Sequence, residues 1–167
     1  MKKISFSVIL IFFGFPLLCQ EFTFRGFTWG TSIESIVLKE GEPHDIETNG
    51  NNTIIRYGYI KVAGAEAILT FTFAKNKLIS SEYFIMNNYD DEKRNMAILT
   101  SIEKNLNDLY GTPNEKSFVP LSDTVHYWYI IWNHLRTRIN FSIQKIGKNT
   151  VGHIKYESPN INLYGDL

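Results

Sequence analysis

Residues 66–74 read Glu-Ala-Ile-Leu-Thr-Phe-Thr-Phe-Ala, and this stretch decides the fold. One side of an extended chain here carries the apolar residues Ala67, Leu69, Phe71 and Phe73. The other side carries the polar residues Glu66, Thr70 and Thr72. Alternation with a period of two is typical of a strand with one buried face and one face in water. The stretch therefore predicts a strand of an antiparallel sheet.

The flanking sequence extends this strand into a meander. Apolar and aromatic residues dominate 53–62 and 78–86, which predicts a strand on either side. Only Ala63-Gly64-Ala65 and Lys75-Asn76-Lys77 separate these strands from the central one. Connections this short are typical of hairpins.

A similar order of residues returns after an offset of seventy. Phe71 and Lys75 return as Phe141 and Lys145, and the strand 135–143 again alternates. Further matches are Gly41 with Gly111, Pro43 with Pro113, Tyr57 with Tyr127, and Tyr59 with Tyr129. Fixed-period similarity indicates an internal repeat. Strands at 124–132 and 150–158 complete the second meander.

Each meander is preceded by a predicted helix. Thr31 lies three residues before Glu34, the spacing of a capping box, and Gly41 with Pro43 ends the first helix. The second helix starts within 89–94, where acidic residues suit the positive end of the helix dipole, and runs to Tyr110 before Gly111. A further short strand is predicted at 21–27.

These elements predict an α+β fold made of two repeats, each a helix followed by a three-stranded antiparallel meander. The repeats form one continuous sheet with both helices on one face. The predicted divisions are a signal peptide at 1–19, repeat unit one at 20–88, repeat unit two at 89–158, and a loose tail at 159–167. Two independent modules in tandem are the alternative.

The chain begins with the pattern of an export signal. Lys2 and Lys3 precede an apolar run over 4–18 that is too short for a membrane span. Cleavage next to Cys19 or Gln20 would place the protein in the periplasm or outside the cell. Cys19 is the only cysteine, and a lipid on it would anchor the chain to the membrane. Leu17-Leu18 before it depart from the small residues that lipidation normally requires.

Composition excludes several partners and chemistries. Without Lys2 and Lys3, fifteen basic residues face seventeen acidic ones, and no basic tract indicates nucleic acid. The chain has no Gly-rich phosphate loop, His-Glu-x-x-His motif or Gly-x-Ser-x-Gly elbow. Its four histidines lack metal-ligand spacing. We therefore expect no cofactor, no metal and no enzymatic activity.

Two segments of the chain resemble parts of known proteins. They are 30–43 and 107–113, and in each of them Gly-x-Pro ends a predicted helix. After an export signal, two such units resemble the fold of the β-lactamase inhibitor proteins and of small outer-membrane assembly lipoproteins of the SmpA/OmlA type. The resemblance covers about 26–158 and implies a non-enzymatic, protein-binding role. The inhibitor proteins are disulfide-bonded, and this chain has no second cysteine. No functional residue of either group can be matched.

The stretch 125–132 carries the candidate binding site. It reads Val-His-Tyr-Trp-Tyr-Ile-Ile-Trp and is apolar or aromatic on both faces. If Tyr127 and Tyr129 point inward, as their repeat partners suggest, the alternate residues lie on the helix-free face. Exposed Trp and Arg are typical of binding hot spots. The candidate partner-binding residues are His126, Trp128, Ile130, Trp132, Arg138 and Lys155. A strand covered on both faces is the alternative.

The favoured function is an exported, non-enzymatic protein-binding module of the bacterial cell envelope that presents an aromatic sheet face. Its partner would be another protein. The alternative is a structural or assembly lipoprotein of the outer envelope, favoured if Cys19 is lipidated. A small-ligand carrier or hydrolase ranks last, because the inward positions are nearly all apolar.

Overall fold

The computed structural model describes residues 21–87, 91–123, 125–146 and 149–158. Within these ranges the chain forms two helices and eight strands. In chain order they are α1 (Ile33–Glu40), β1 (Asp45–Asn49), β2 (Asn52–Val62), β3 (Ala65–Ala74), β4 (Lys77–Asn87), α2 (Glu92–Tyr110), β5 (Glu115–Pro120), β6 (Val125–His134), β7 (Thr137–Ile146) and β8 (Asn149–Glu157). The predicted signal peptide, the junction near residue 88 and the predicted tail lie outside the described residues.

All eight strands belong to one antiparallel sheet with the order β1-β2-β3-β4-β8-β7-β6-β5. The α+β class with an antiparallel sheet is confirmed. The division into two units of a helix and three strands is wrong, because four strands follow each helix. The two unpredicted strands, β1 and β5, are the edges of the sheet. They are almost wholly exposed, so neither has the alternating burial that marks an interior strand.

The helix ends follow the sequence signals, with one correction. Both helices end at a glycine with positive φ, 91° at Gly41 and 81° at Gly111, a conformation that glycine adopts readily. Asp91 caps α2 by accepting the backbone N–H of Lys93 at 2.9 Å. The cap of α1 is Ser32, and the predicted capping residue Thr31 instead donates its hydroxyl to the Thr28 carbonyl.

One hydrophobic core lies between the helices and the sheet. It joins residues of both helices, among them Ile36, Leu99 and Leu106, to inward residues of β3 and β7 such as Phe71 and Phe141. The side chains that alternate with these sheet residues point to the opposite face, which none of the described helices covers. We call that surface the open face.

The segment that precedes α1 is not the predicted strand at 21–27. Arg25 and Gly26 have φ values of 53° and 81°, which turn the chain so that Phe24 and Phe27 bridge each other. This turn places Phe22, Phe24 and Phe27 in the core. The predicted strand would have placed Phe27 on the opposite side from Phe22 and Phe24, whereas the turn buries all three.

Candidate functional site

The structure reverses the predicted orientation of β6. Ile130 pairs with Phe141 and Trp132 pairs with Ile139, and all four side chains are in the core beneath the helices. Ile130 is 2% exposed and Trp132 is 1% exposed. The prediction that His126, Trp128, Ile130 and Trp132 occupy the helix-free face is therefore wrong.

The error comes from applying the offset of seventy residues, which holds for β7, to β6 as well. Phe71 and Phe141 match at an offset of seventy, but their strand partners are Ile55 and Ile130, which differ by seventy-five. A difference of five residues is odd, and an odd shift moves every side chain of a strand to the other face. The residue of β6 that corresponds to Tyr57 is thus Trp132 and not Tyr127.

Two hydrogen bonds support this correspondence. Tyr57 Oη donates to the Gly41 carbonyl at 3.0 Å, and Trp132 Nε1 donates to the Gly111 carbonyl at 3.0 Å. Each bond ties the inner face of a strand to the end of a helix. Trp132 is therefore a core residue with its polar atom satisfied, as buried tryptophans generally require.

The other two candidate residues lie on the open face. Arg138 alternates with the buried Ile139, and Lys155 lies between Ile154 and Tyr156, which are both buried. Lys155 Nζ is 2.6 Å from Glu157 Oε1, and Glu157 is the strand partner of Arg138.

The six residues predicted as one binding surface are thus divided between the two faces of the sheet. Their role in binding remains a prediction that the structure does not test.

His126 and Trp128 do form part of an accessible aromatic group with Phe118 of β5. The centroid of the Phe118 ring lies 4.9 Å from that of Trp128 and 5.8 Å from that of His126. Phe118 is 51% exposed, and the other two are half-buried. His126 Nδ1 is buried and has no hydrogen-bond partner among the described residues. We call Phe118, His126 and Trp128 the edge cluster.

The strand that carries Phe118, β5, has further exposed apolar residues at its end. Val119 is 37% exposed and Leu121, just after the strand, is 62% exposed. The sequence carries one signal of this apolar edge. It is the apolar run Phe118-Val119-Pro120-Leu121, which lies between polar segments. The structure places Phe118 to Pro120 in the edge strand β5, and Leu121 follows it.

The edge strand on the other side of the sheet is different in character. Asp45 and Glu47 of β1 both bind the guanidinium of Arg56, at 2.5 and 2.8 Å. Charged side chains along an edge discourage pairing with another chain. The charged residues of β5 also bond to their own protein. Lys116 binds Glu103 of α2 at 2.6 Å, and Glu115 accepts a hydrogen bond from Tyr129 at 2.7 Å. The difference lies in the exposed apolar run that follows them in β5.

The centre of the open face carries a carboxylate–imidazole pair. His153 Nε2 lies 3.0 Å from Glu82 Oε2. This hydrogen bond, together with the positive charges of Lys155 and Arg56, lowers the pKa of Glu82. In the part of the chain that the structure describes, no group of three or more His, Cys, Asp or Glu side chains could hold a metal ion.

The pKa of Glu82 predicts an acid-dependent loss of stability. A carboxyl whose folded pKa lies below its unfolded value, about 4.3, stabilises the fold above that pH and loses this contribution as pH falls through the folded pKa. We expect Glu82→Gln to lower the free energy of unfolding by about 1 kcal/mol at pH 7 and by less at pH 3. Urea unfolding between pH 3 and pH 7 measures this difference.

The exposed Glu66 provides the control, because Glu66→Gln removes a carboxylate from an adjacent strand without breaking a described hydrogen bond. It should leave the pH dependence of the free energy of unfolding unchanged. A Glu82→Gln variant that loses stability equally at pH 3 and pH 7 would contradict a role for the ionised carboxylate.

Comparison with known proteins identifies no relative. No protein-family model, curated protein or solved structure matches the chain. The resemblance to the inhibitor proteins and small envelope lipoproteins therefore remains a prediction. Across the described residues, no helix is long and apolar enough to span a membrane.

Proposed function

We propose that the protein is an exported, non-enzymatic binding module that accepts an extended segment of a partner protein along β5. The observation that carries this proposal is the contrast between the two sheet edges. β1 places the exposed Ile46 between the carboxylates of Asp45 and Glu47. β5 instead presents the adjacent exposed apolar residues Phe118 and Val119. Export is supported by the signal-like sequence of residues 1–19.

The backbone of β5 supplies the first part of the binding energy. No strand among the described ranges pairs with its outer side, so one row of N–H and C=O groups faces away from the sheet. An edge strand of this kind is a template for an added strand. Main-chain hydrogen bonds would give affinity without requiring a particular sequence.

The edge cluster supplies selectivity. A residue of the partner placed beside Phe118 would extend the aromatic contacts with Trp128 and bury the exposed half of the Phe118 ring. Cross-strand pairs of aromatic and β-branched residues contribute about 0.2–1 kcal/mol each. We therefore expect a partner segment with an aromatic or β-branched residue at this position.

Site-specific photo-crosslinking tests this function. The photoreactive residue p-benzoylphenylalanine replaces Phe118 in the full chain, expressed in its native host, and replaces Ile46 of β1 in a matched control. Ile46 is 58% exposed on the other edge strand, so both probes are accessible. We expect position 118 to crosslink one defined protein through one short segment, and position 46 to give no such product.

A synthetic peptide of the crosslinked segment then tests the strand geometry. Binding should slow hydrogen exchange of the amides of residues 115–120, and Phe118→Lys should weaken the affinity at least tenfold while the variant stays folded. Protection of β1 amides instead, a product with a second copy of the chain, or no specific product would each overturn the proposal.

A further inference from the structure

A bulge interrupts β2 where it pairs with β3. Tyr57 pairs with Leu69 and Ile60 pairs with Ala67, so Gly58 and Tyr59 together oppose the single residue Ile68. Tyr59 has a φ of 38°, which lies in the left-handed region. Every other non-glycine residue with positive φ in the described ranges lies in a turn. Bulges often re-aim side chains at functional sites.

The Tyr59 side chain adds little to the stability of the fold. It is 74% exposed, and a non-glycine residue in the left-handed region costs about 1 kcal/mol or more. The bulge thus holds an aromatic ring outside the core at an energetic cost. An observed backbone outlier of this kind points to a functional constraint.

A cavity of about 350 Å³ adjoins the bulge. This volume is at the lower end of the range for small-ligand sites. Its walls combine an aromatic ring, an aliphatic side chain and charged groups. The lining residues are His44, Asp45, Arg56, Gly58, Tyr59 and Ile68.

The ion-paired triad at the cavity favours a cation over an anion. Hydrogen bonds from Arg56 to Glu47 and Asp45 raise the pKa of the guanidinium, so Arg56 stays charged. Two carboxylates facing one guanidinium leave a net charge of −1 on this triad, in which Asp45 and Arg56 line the cavity and Glu47 lies outside its lining. Carboxylate oxygens accept more than one hydrogen bond, so Asp45 can bind a second donor.

We propose that this cavity binds a guanidinium or ammonium group on an apolar stem, such as an arginine or lysine side chain of a peptide. The cation lies between the Asp45 carboxylate and the Tyr59 ring, whose face attracts positive charge, and its methylene stem packs on Ile68. This site is on the opposite edge of the sheet from β5, so it is independent of the function proposed above.

Titration of the ¹⁵N-labelled chain tests the site. The probe is N-acetyl-arginine methylamide, and its matched neutral control is N-acetyl-citrulline methylamide, which has nearly the same shape. We expect saturable shifts of the Gly58 and Ile68 amide signals with the arginine compound. The citrulline compound should bind at least tenfold more weakly, because it lacks the charge.

Two variants separate binding from folding. Tyr59→Gly relieves the backbone strain, so it should keep the melting temperature within a few degrees while weakening binding at least tenfold. Phe118→Lys, at the other edge, should bind as wild type does. Equal binding of the citrulline compound, tighter binding of N-acetyl-glutamate methylamide, or unchanged binding by Tyr59→Gly would each overturn this site, whatever the outcome at β5.

Discussion

Replacement of Trp132 by alanine should destabilise the protein by about 4 kcal/mol, the largest loss expected from any single aromatic truncation in β6. Trp132 is 1% exposed and belongs to the main core cluster. Removing the indole leaves a cavity and also removes the donor that binds the Gly111 carbonyl at 3.0 Å. Both effects act in the same direction, because a carbonyl without its partner keeps its desolvation penalty.

Two further variants separate the contributions to this loss of stability. The measurement is denaturant unfolding followed by circular dichroism. Trp132→Phe keeps most of the apolar volume but cannot donate to Gly111, so it should lose about 1–2 kcal/mol. Trp128→Ala should also lose only about 1–2 kcal/mol, because Trp128 is half-buried at the edge cluster. Equal losses from Trp128→Ala and Trp132→Ala would contradict the orientation of β6.

The sequence allowed the interior of the sheet to be predicted because burial imposes a pattern there. The alternation in β3 and β7 predicted both inward faces, and Gly41 and Gly111 predicted both helix ends. The edge strands β1 and β5 bury almost nothing, so their sequences carry no such pattern. Their pairing depends on backbone hydrogen bonds to β2 and β6, which every residue can accept and every residue except proline can donate.

The candidate site was predicted less well than the core. The face of the sheet that a residue of β6 occupies was inferred by aligning β6 with β2, and an alignment that is wrong by an odd number of residues exchanges the two faces. The bulge at Gly58 and Tyr59 lies in β2, whereas β6 pairs with β7 in unbroken register from Val125 to His134. An ungapped comparison of the two strands cannot detect such a difference. It misplaced Trp132, yet it drew attention to His126 and Trp128, which the structure places in the edge cluster.

The contact between α2 and β8 gives the second large prediction. Gly152 is buried on the inner face between Ile85 and Ile143, its partners on the adjacent strands. A Cβ atom added at Gly152 would lie 2.5 Å from Leu99 Cδ2, closer than any real contact allows, and 3.4 Å from Ile85 Cδ1. The absence of a side chain at this position therefore sets how closely α2 approaches the sheet.

Gly152→Ala should destabilise the protein by about 2 kcal/mol, because the fully buried Leu99 side chain must shift within the core to make room for the methyl group. Leu99→Ala alone should lose about 3 kcal/mol through the cavity it leaves. In the double variant the new methyl group occupies part of that cavity, so its loss should be close to that of Leu99→Ala alone. The measurement is a double-mutant cycle, that is, the free energies of unfolding of the wild type, the two single variants and the double variant. Strictly additive losses would show that Leu99 is not the residue that excludes a side chain at position 152.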